Sequence, residues 1–220
     1  RLGAPPPPPP PARDSRCWAV MGAVGGAGAT TLAVEIASAL AARQGQGVCL
    51  VDLNLADGAA PAYLGATAAM SLAQLGPVAE RMDSALLAAF ATPAAKGLDL
   101  LACPRDPLAY EQISREAVLR ILEIACEAYD YVVVDMPRHR HPWSLEVLGG
   151  SDEILVVSEL TVPALLSARA LAEPRAVQPP VALLEQLQGH SYQLLGQLSA
   201  IKSLLLLRRD RMQMDLIEQP

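Results

Sequence analysis

The sequence is poor in aromatic residues and in charge. Of its 220 residues, 4% are aromatic and 18% are charged, whereas 52% are hydrophobic. A sizeable core built mainly from Ala, Leu and Val is therefore expected. The net charge of −6 at pH 7 offers no basic surface of the kind that binds nucleic-acid phosphates, so no nucleic-acid partner is expected.

Paired cysteines are also missing. The four cysteines are scattered and form no Cys-x-x-Cys motif, which argues against a disulfide framework or a zinc site. We expect them to be small buried hydrophobic side chains in a reducing cytosol. They are Cys17, Cys49, Cys103 and Cys126.

Short apolar strands alternate with helices along most of the chain. This order predicts an α/β fold, with a parallel sheet that helices cover on both faces. Ligands of such sheets bind beyond the carboxyl ends of the strands. The predicted strands lie at 17–21, 48–52, 98–102, 130–135 and 153–158, and the predicted helices lie at 32–42, 71–75, 83–90, 114–128, 144–148 and 162–173.

A glycine-rich turn joins the first strand to the first helix. Its glycines let backbone N–H groups point into one concavity, and the dipole of the helix that follows favours an anion. The pattern predicts a phosphate-binding loop, although Ala29 stands where a P-loop has its lysine. The alternative is that the glycines serve only tight packing. The candidate binding residues are Gly25, Gly26, Ala27, Gly28, Ala29, Thr30 and Thr31.

Thr30, Thr31 and Asp135 form a candidate site for magnesium and phosphate. Thr30 is expected to present its hydroxyl to Mg²⁺, and Thr31 to contact an inner phosphate. Asp135 ends an apolar strand and is expected to hold the magnesium through water. The alternative for Asp135 is a cap on the next turn.

A second strand ends in Asp52, and a polar loop over 53–65 follows it. We expect Asp52 to orient an attacking water or to contact the metal. Asn54 cannot accept a proton, and an ordinary loop-start role is the alternative for both residues. Further along, His139 and His141 are either metal or phosphate contacts or part of a solvated basic loop.

A dinucleotide-binding reductase is a further alternative, because it also combines a strand, glycines, a helix and an acid at the second strand end. Asp52 would then bind the ribose. The loop lacks the G-x-G-x-x-G spacing, however, and a reductase gives no reason for the VVVDMP stretch at 132–137.

The two ends of the chain differ from the part between them. Seven consecutive prolines at 5–11 indicate that residues 1–16 are an extended linker, with a further segment expected upstream. At the other end, apolar residues recur at spacings of three and four over 184–205, which predicts a helix over 181–211 for self-association or docking. The alternatives are an amphipathic membrane anchor and a tail that is not native to the domain.

Three stretches resemble the MinD/ParA ATPases. The loop at 24–31 (VGGAGATT) resembles their deviant Walker A motif, K-G-G-x-G-K-[ST]. The stretch at 50–65 (LVDLNLADGAAPAYLG) is similar to their switch I region, and the one at 129–143 (YDYVVVDMPRHRHPW) to their Walker B segment. The combination is most similar to the CpaE/TadZ branch and covers residues 17–174, which leaves a helical tail at 175–220.

The resemblance implies a P-loop NTPase fold that binds ATP or ADP with Mg²⁺ and forms an ATP-sandwiched homodimer. It further implies a cytoplasmic protein of Flp/tight-adherence (type IVb) pilus assembly, which positions the secretion machinery at a cell pole. Its partners would be proteins of that machinery, and a receiver-like domain would lie upstream. Membrane contact is expected only indirectly or through residues 201–214.

Three positions depart from the family pattern. The signature lysine of the deviant motif falls at Val24, the P-loop lysine falls at Ala29, and Asn54 replaces the second acid of switch I. Losing a charge-assisted contact to phosphate costs roughly a few kcal/mol. We expect weak or absent hydrolysis, so ATPase activity stays open and a catalytically inactive pseudo-ATPase scaffold is the alternative.

Overall fold

The structure is a computed structural model that describes residues 14–43, 45–68, 70–103, 109–172 and 203–208. Most of the predicted linker and most of the predicted tail lie outside these residues. The domain between them is described almost throughout.

Within the described residues, the strands form a single sheet. They are β1 (Arg16–Gly22), β2 (Val48–Asp52), β3 (Thr92–Ala95), β4 (Leu98–Leu101), β5 (Tyr131–Asp135), β6 (Glu153–Ser158) and β7 (Ser203–Arg208). Their order is β3-β4-β2-β5-β1-β6-β7. The five central strands are parallel, while β3 and β7 are antiparallel to their neighbours. The predicted α/β fold is confirmed, except that each edge carries an antiparallel strand.

Some of the helices begin directly after a residue whose side chain caps them. Ser114 accepts a hydrogen bond of 3.1 Å from the N–H of Ala117, and Asp83 accepts one of 2.8 Å from the N–H of Leu86. The helices are α1 (Ala29–Ala41), α2 (Ala60–Tyr63), α3 (Ser84–Phe90), α4 (Ala109–Gln112), α5 (Arg115–Ala128), α6 (Ser144–Gly150), α7 (Val162–Ala172) and a 3₁₀ helix (Leu72–Arg81).

Apolar side chains on alternating strand positions fill both faces of the sheet. In β5, Val133 packs with the apolar side of α1 in one buried cluster. Its neighbours Val132 and Val134 pack with α5 in the other cluster. Because both faces are covered, the strands are continuous apolar runs, as expected for a parallel sheet.

The tail departs from the sequence prediction at 203–208. The helix expected over 181–211 is wrong at these residues, because Ser203–Arg208 is a strand paired with β6, with Ser203 opposite Ser158 and Arg208 opposite Glu153. A run of four leucines fits a buried strand and a buried helix equally well, because it has no alternation of apolar and polar residues. The free edge of β6 offers backbone partners, and the chain pairs with them.

Candidate functional site

Two buried aspartates end neighbouring parallel strands. Asp52 on β2 lies opposite Asp135 on β5 in the sheet register, and neither is more than 1% exposed. Parallel strands bring their carboxyl ends to one edge, so this predicted meeting of the two carboxylates is confirmed.

Asp135 is also in contact with the first turn of α1. The hydroxyl of Thr30 donates a hydrogen bond of 2.7 Å to Oδ2 of Asp135, so the two predicted magnesium contacts are neighbours. Within the described part of the chain, Oδ1 of Asp135 is buried and accepts no hydrogen bond. A buried carboxylate oxygen without a partner is costly, and a cation or a water is its usual complement.

Burial and the nearby charge of Asp52 make the carboxyl group of Asp135 harder to ionise. Burial raises the pKa of Asp135 to about 7, and the charge of Asp52 adds to this effect, while hydrogen bonds from Thr30 and Asn54 oppose it. Burial also raises the pKa of Asp52. A divalent cation beside the pair would offset this repulsion, because it is the largest charge in such a site.

Both oxygens of Asp52 are engaged by the loop that follows β2. Oδ1 accepts a hydrogen bond of 3.0 Å from the N–H of Asn54, and Oδ2 accepts one of 3.2 Å from the N–H of Ala60. Asp52 therefore holds this loop against the sheet. Its expected contact with water or metal stays a prediction.

Gly58 lies in this loop and was not among the site residues predicted from the sequence. A Cβ at Gly58 would lie 2.7 Å from Oδ2 of Asp52 and 2.8 Å from the carbonyl oxygen of Asn54. Both distances are shorter than a carbon–oxygen contact allows, so only glycine fits here. A glycine six residues after a strand-end aspartate was the available signal.

The glycine loop has the backbone shape that an anion requires. Gly26 and Gly28 have φ of 78° and 94°, a region that favours glycine. Gly28 is the N-cap of α1, and no side chain caps this helix. The N–H groups of its first turn, which includes Thr30 and Thr31, have no partner inside the helix. Phosphate binding by this loop stays a prediction that the geometry fits.

Through the aromatic ring of Tyr110 on α4, the loop after β2 is connected to the loop after β5. The ring of His141 stacks on Tyr110 at 3.9 Å between centroids and on Trp143 at 5.1 Å. The hydroxyl of Tyr110 donates to the carbonyl of Leu53 at 3.1 Å and accepts from the N–H of Leu55 at 3.2 Å. His141 is thus half-buried against two rings, and burial lowers its pKa. Arg138, His139 and Arg140, which precede it, are exposed, as the solvated-loop alternative expects.

All four cysteines are free, and three of them are buried. The described residues contain no group of three or more His, Cys, Asp or Glu able to hold a metal ion. In the same part of the chain, no helix has both the length and the apolar character needed to cross a bilayer.

The sheet order separates this fold from the dinucleotide-binding one. Here β5 lies between β1 and β2, whereas the first two strands are neighbours in the dinucleotide-binding order. The reductase alternative also placed Asp52 on a ribose, but here Asp52 is buried and bonded to its own loop.

Comparison with known proteins agrees with this architecture. The AAA-domain family model matches residues 15–174, and the chain therefore belongs to this family. No curated protein matches the sequence.

Among solved structures, the chain is similar to a ParA family ATPase from Chlorobium tepidum TLS, with a TM-score of 0.67 and 29% identity over 71% of this chain and 66% of that one. It is also similar to MinD with Mg-ADP from Pyrococcus horikoshii OT3, with a TM-score of 0.61 and 16% identity over 74% and 67%. A McdA–ATP complex from Cyanothece matches with a TM-score of 0.56 and 20% identity over 86% and 67%. The chain thus spans slightly less than two thirds of the Chlorobium protein.

Proposed function

We propose that this chain binds ATP or ADP with Mg²⁺ and that the nucleotide controls its dimerisation, with weak or absent hydrolysis. The observation that supports this most directly is the 2.7 Å contact between Thr30 and Asp135. The hydroxyl and a buried carboxylate with a free oxygen thus lie next to the glycine loop and the uncapped N-terminus of α1.

The oxygen atoms present fit magnesium. Mg²⁺ prefers oxygen ligands and is usually held by one or two carboxylates together with phosphates and water. Thr30 and Asp135 would hold it here, and the first turn of α1 would bind the phosphates. When bound, Mg²⁺ would supply positive charge that offsets the negative charge of the phosphates.

Weak hydrolysis follows from the side chains that the loop lacks. Val24 and Ala29 stand where the family has lysines, and each missing charge-assisted contact removes stabilisation of the transferring phosphate. The same two positions favour the second candidate, a catalytically inactive scaffold that binds partners without turnover.

The motifs at 50–65 and 129–143 support a more specific role within the family. We propose that the protein is a positioning and assembly factor of the CpaE/TadZ kind for a type IVb (Flp/Tad) pilus. It would act as a homodimer in the cytoplasm, at a pole or at the membrane periphery, and bind proteins of the secretion machinery.

Calorimetry and a turnover assay test the nucleotide site. We expect the chain to bind Mg-ADP and Mg-ATP, and expect Asp135→Asn to weaken binding at least about tenfold by removing a carboxylate from the metal. Asp57→Asn, an exposed position on the loop after β2, is the control with the same change of charge. Failure of the wild-type chain to bind either nucleotide would overturn the proposal.

Light scattering with ATP, with ADP and without nucleotide tests the switch. Dimerisation that depends on nucleotide supports it, whereas a constant oligomer contradicts it. Turnover separates the two candidates, since the scaffold binds nucleotide without hydrolysing it. Interaction with pilus components is tested by co-purification from cells that assemble the pilus.

A further inference from the structure

The guanidinium of Arg138 lies against the glycine loop. A Cβ added at Gly25 would come 3.2 Å from Nη1 of Arg138 and 3.8 Å from its Cζ. Arg138 follows Asp135, the last residue of β5, by three residues. It therefore lies at the carboxyl ends of the strands, where the glycine loop also lies. The absence of a side chain at Gly25 leaves room for this approach.

The loop has no positive side chain of its own. No Lys or Arg occurs between residues 17 and 42, and positions 24 and 29 are Val and Ala. Arg138 is therefore a cation beside a loop whose own sequence is neutral.

Arg138 is also available to a ligand. It is exposed, and the ion pairs found among the described residues involve Arg16, Arg115 and Arg120 rather than Arg138. Arginine pairs with phosphate through two parallel N–H donors, which makes it well suited to this ligand.

We propose that Arg138 binds the phosphate groups of the nucleotide and supplies, from the end of β5 in the same chain, the positive charge that Val24 and Ala29 do not provide. This inference rests on the proposed nucleotide binding. An anion seated on the uncapped first turn of α1 and on the glycine loop lies within reach of a guanidinium that occupies the space beside Gly25.

Arg138→Gln tests the proposal, with Arg140→Gln as the matched control. Both arginines are exposed on the same loop, and both changes remove one positive charge. We expect Arg138→Gln to weaken Mg-ADP and Mg-ATP binding about tenfold or more by calorimetry, and Arg138→Lys to retain part of the affinity. Arg140→Gln should stay within about twofold of the wild type, because only a through-space effect screened by salt is lost.

Salt dependence provides a readout that a merely structural role would not change. Affinity of the wild type should fall more steeply with added salt than that of Arg138→Gln, because the variant has lost one charge contact. Thermal unfolding without nucleotide checks that each variant is folded.

The outcomes separate this inference from the proposed function. If the wild type binds nucleotide and the two glutamine variants bind equally well, the role of Arg138 is overturned and nucleotide binding stands. If the wild type binds no nucleotide, both proposals fail.

Discussion

The side-chain amide of Asn54 donates a hydrogen bond of 2.9 Å to Oδ2 of Asp135. The same nitrogen lies 3.2 Å from Oδ1 of Asp52, so one amide bridges two buried carboxylates. The family pattern has an acid at this position, and the sequence therefore indicated a weakened switch loop. In the structure, an amide donor is what the two carboxylates require in the absence of a cation, because a third carboxylate would repel both.

Asn54→Asp should destabilise the metal-free protein. We expect the free energy of unfolding to fall by about 2 to 3 kcal/mol, because hydrogen bonds to charged groups are lost and a like charge is added. Excess Mg²⁺ should restore much of this stability. Urea denaturation with and without Mg²⁺ measures both effects.

Asn54→Ala is the control for that prediction. It removes the amide without adding charge, so it should lose stability without recovery by Mg²⁺. A variant Asn54→Asp as stable as the wild type in metal-free buffer would contradict the bridging role of the amide.

The raised pKa of Asp135 predicts that stability depends on pH. Its pKa is about 7 in the folded protein, against about 4 for an unfolded aspartate. Between these values the folded state binds more protons than the unfolded state, so the free energy of unfolding should decrease as pH rises from about 4 to 7. Burial raises the pKa of Asp52, which acts in the same direction.

Asp135→Asn should reduce this dependence in metal-free buffer, because one of the two titrating groups is gone. Chemical denaturation at several pH values between about 4 and 8 provides the measurement. Asp57→Asn, on an exposed residue, should keep the slope of the wild type. An unchanged slope in Asp135→Asn would show that the dependence has another source.

Gly58→Ala should destabilise the loop after β2. Its Cβ would lie 2.7 Å from Oδ2 of Asp52 and 2.8 Å from a backbone oxygen, and overpacking of this kind costs about 1 to 3 kcal/mol. Gly149→Ala is the control, since a Cβ at this helical glycine meets nothing within 4 Å. It should be neutral or stabilise by up to about 1 kcal/mol. Equal melting temperatures for the two variants would refute the close approach at Gly58.

Tyr110→Phe should loosen the same loop without removing the ring stack. The change leaves the N–H of Leu55 and the carbonyl of Leu53 without the hydroxyl that pairs them. We expect a loss of about 1 to 2 kcal/mol, together with faster amide exchange at Leu55. Tyr63→Phe should change neither quantity, because Tyr63 is 57% exposed. Protection of Leu55 that does not change in Tyr110→Phe would argue against this contact.

Local patterns in the sequence were sufficient to predict the central parallel strands of the sheet. Apolar runs that alternate with helices specified the five parallel strands, and strand β2 was predicted with the bounds that the structure has. The meeting of Asp52 with Asp135 followed as well, because parallel strands share one carboxyl edge. Thr30 lies beside Asp135, since the loop after β1 ends at that same edge, and its contact with a metal stays a prediction.

Only the tertiary structure decided which further residues complete the site at the carboxyl ends of the strands. The approach of Arg138 to Gly25, the bond of Tyr110 to Leu53 and the fit of Gly58 against Asp52 depend on how these segments fold against one another. The pairing of Ser203–Arg208 with β6 likewise depends on a free sheet edge. Periodicity along the chain specifies which face a residue takes within its own element, but contacts between loops arise only when the elements pack together.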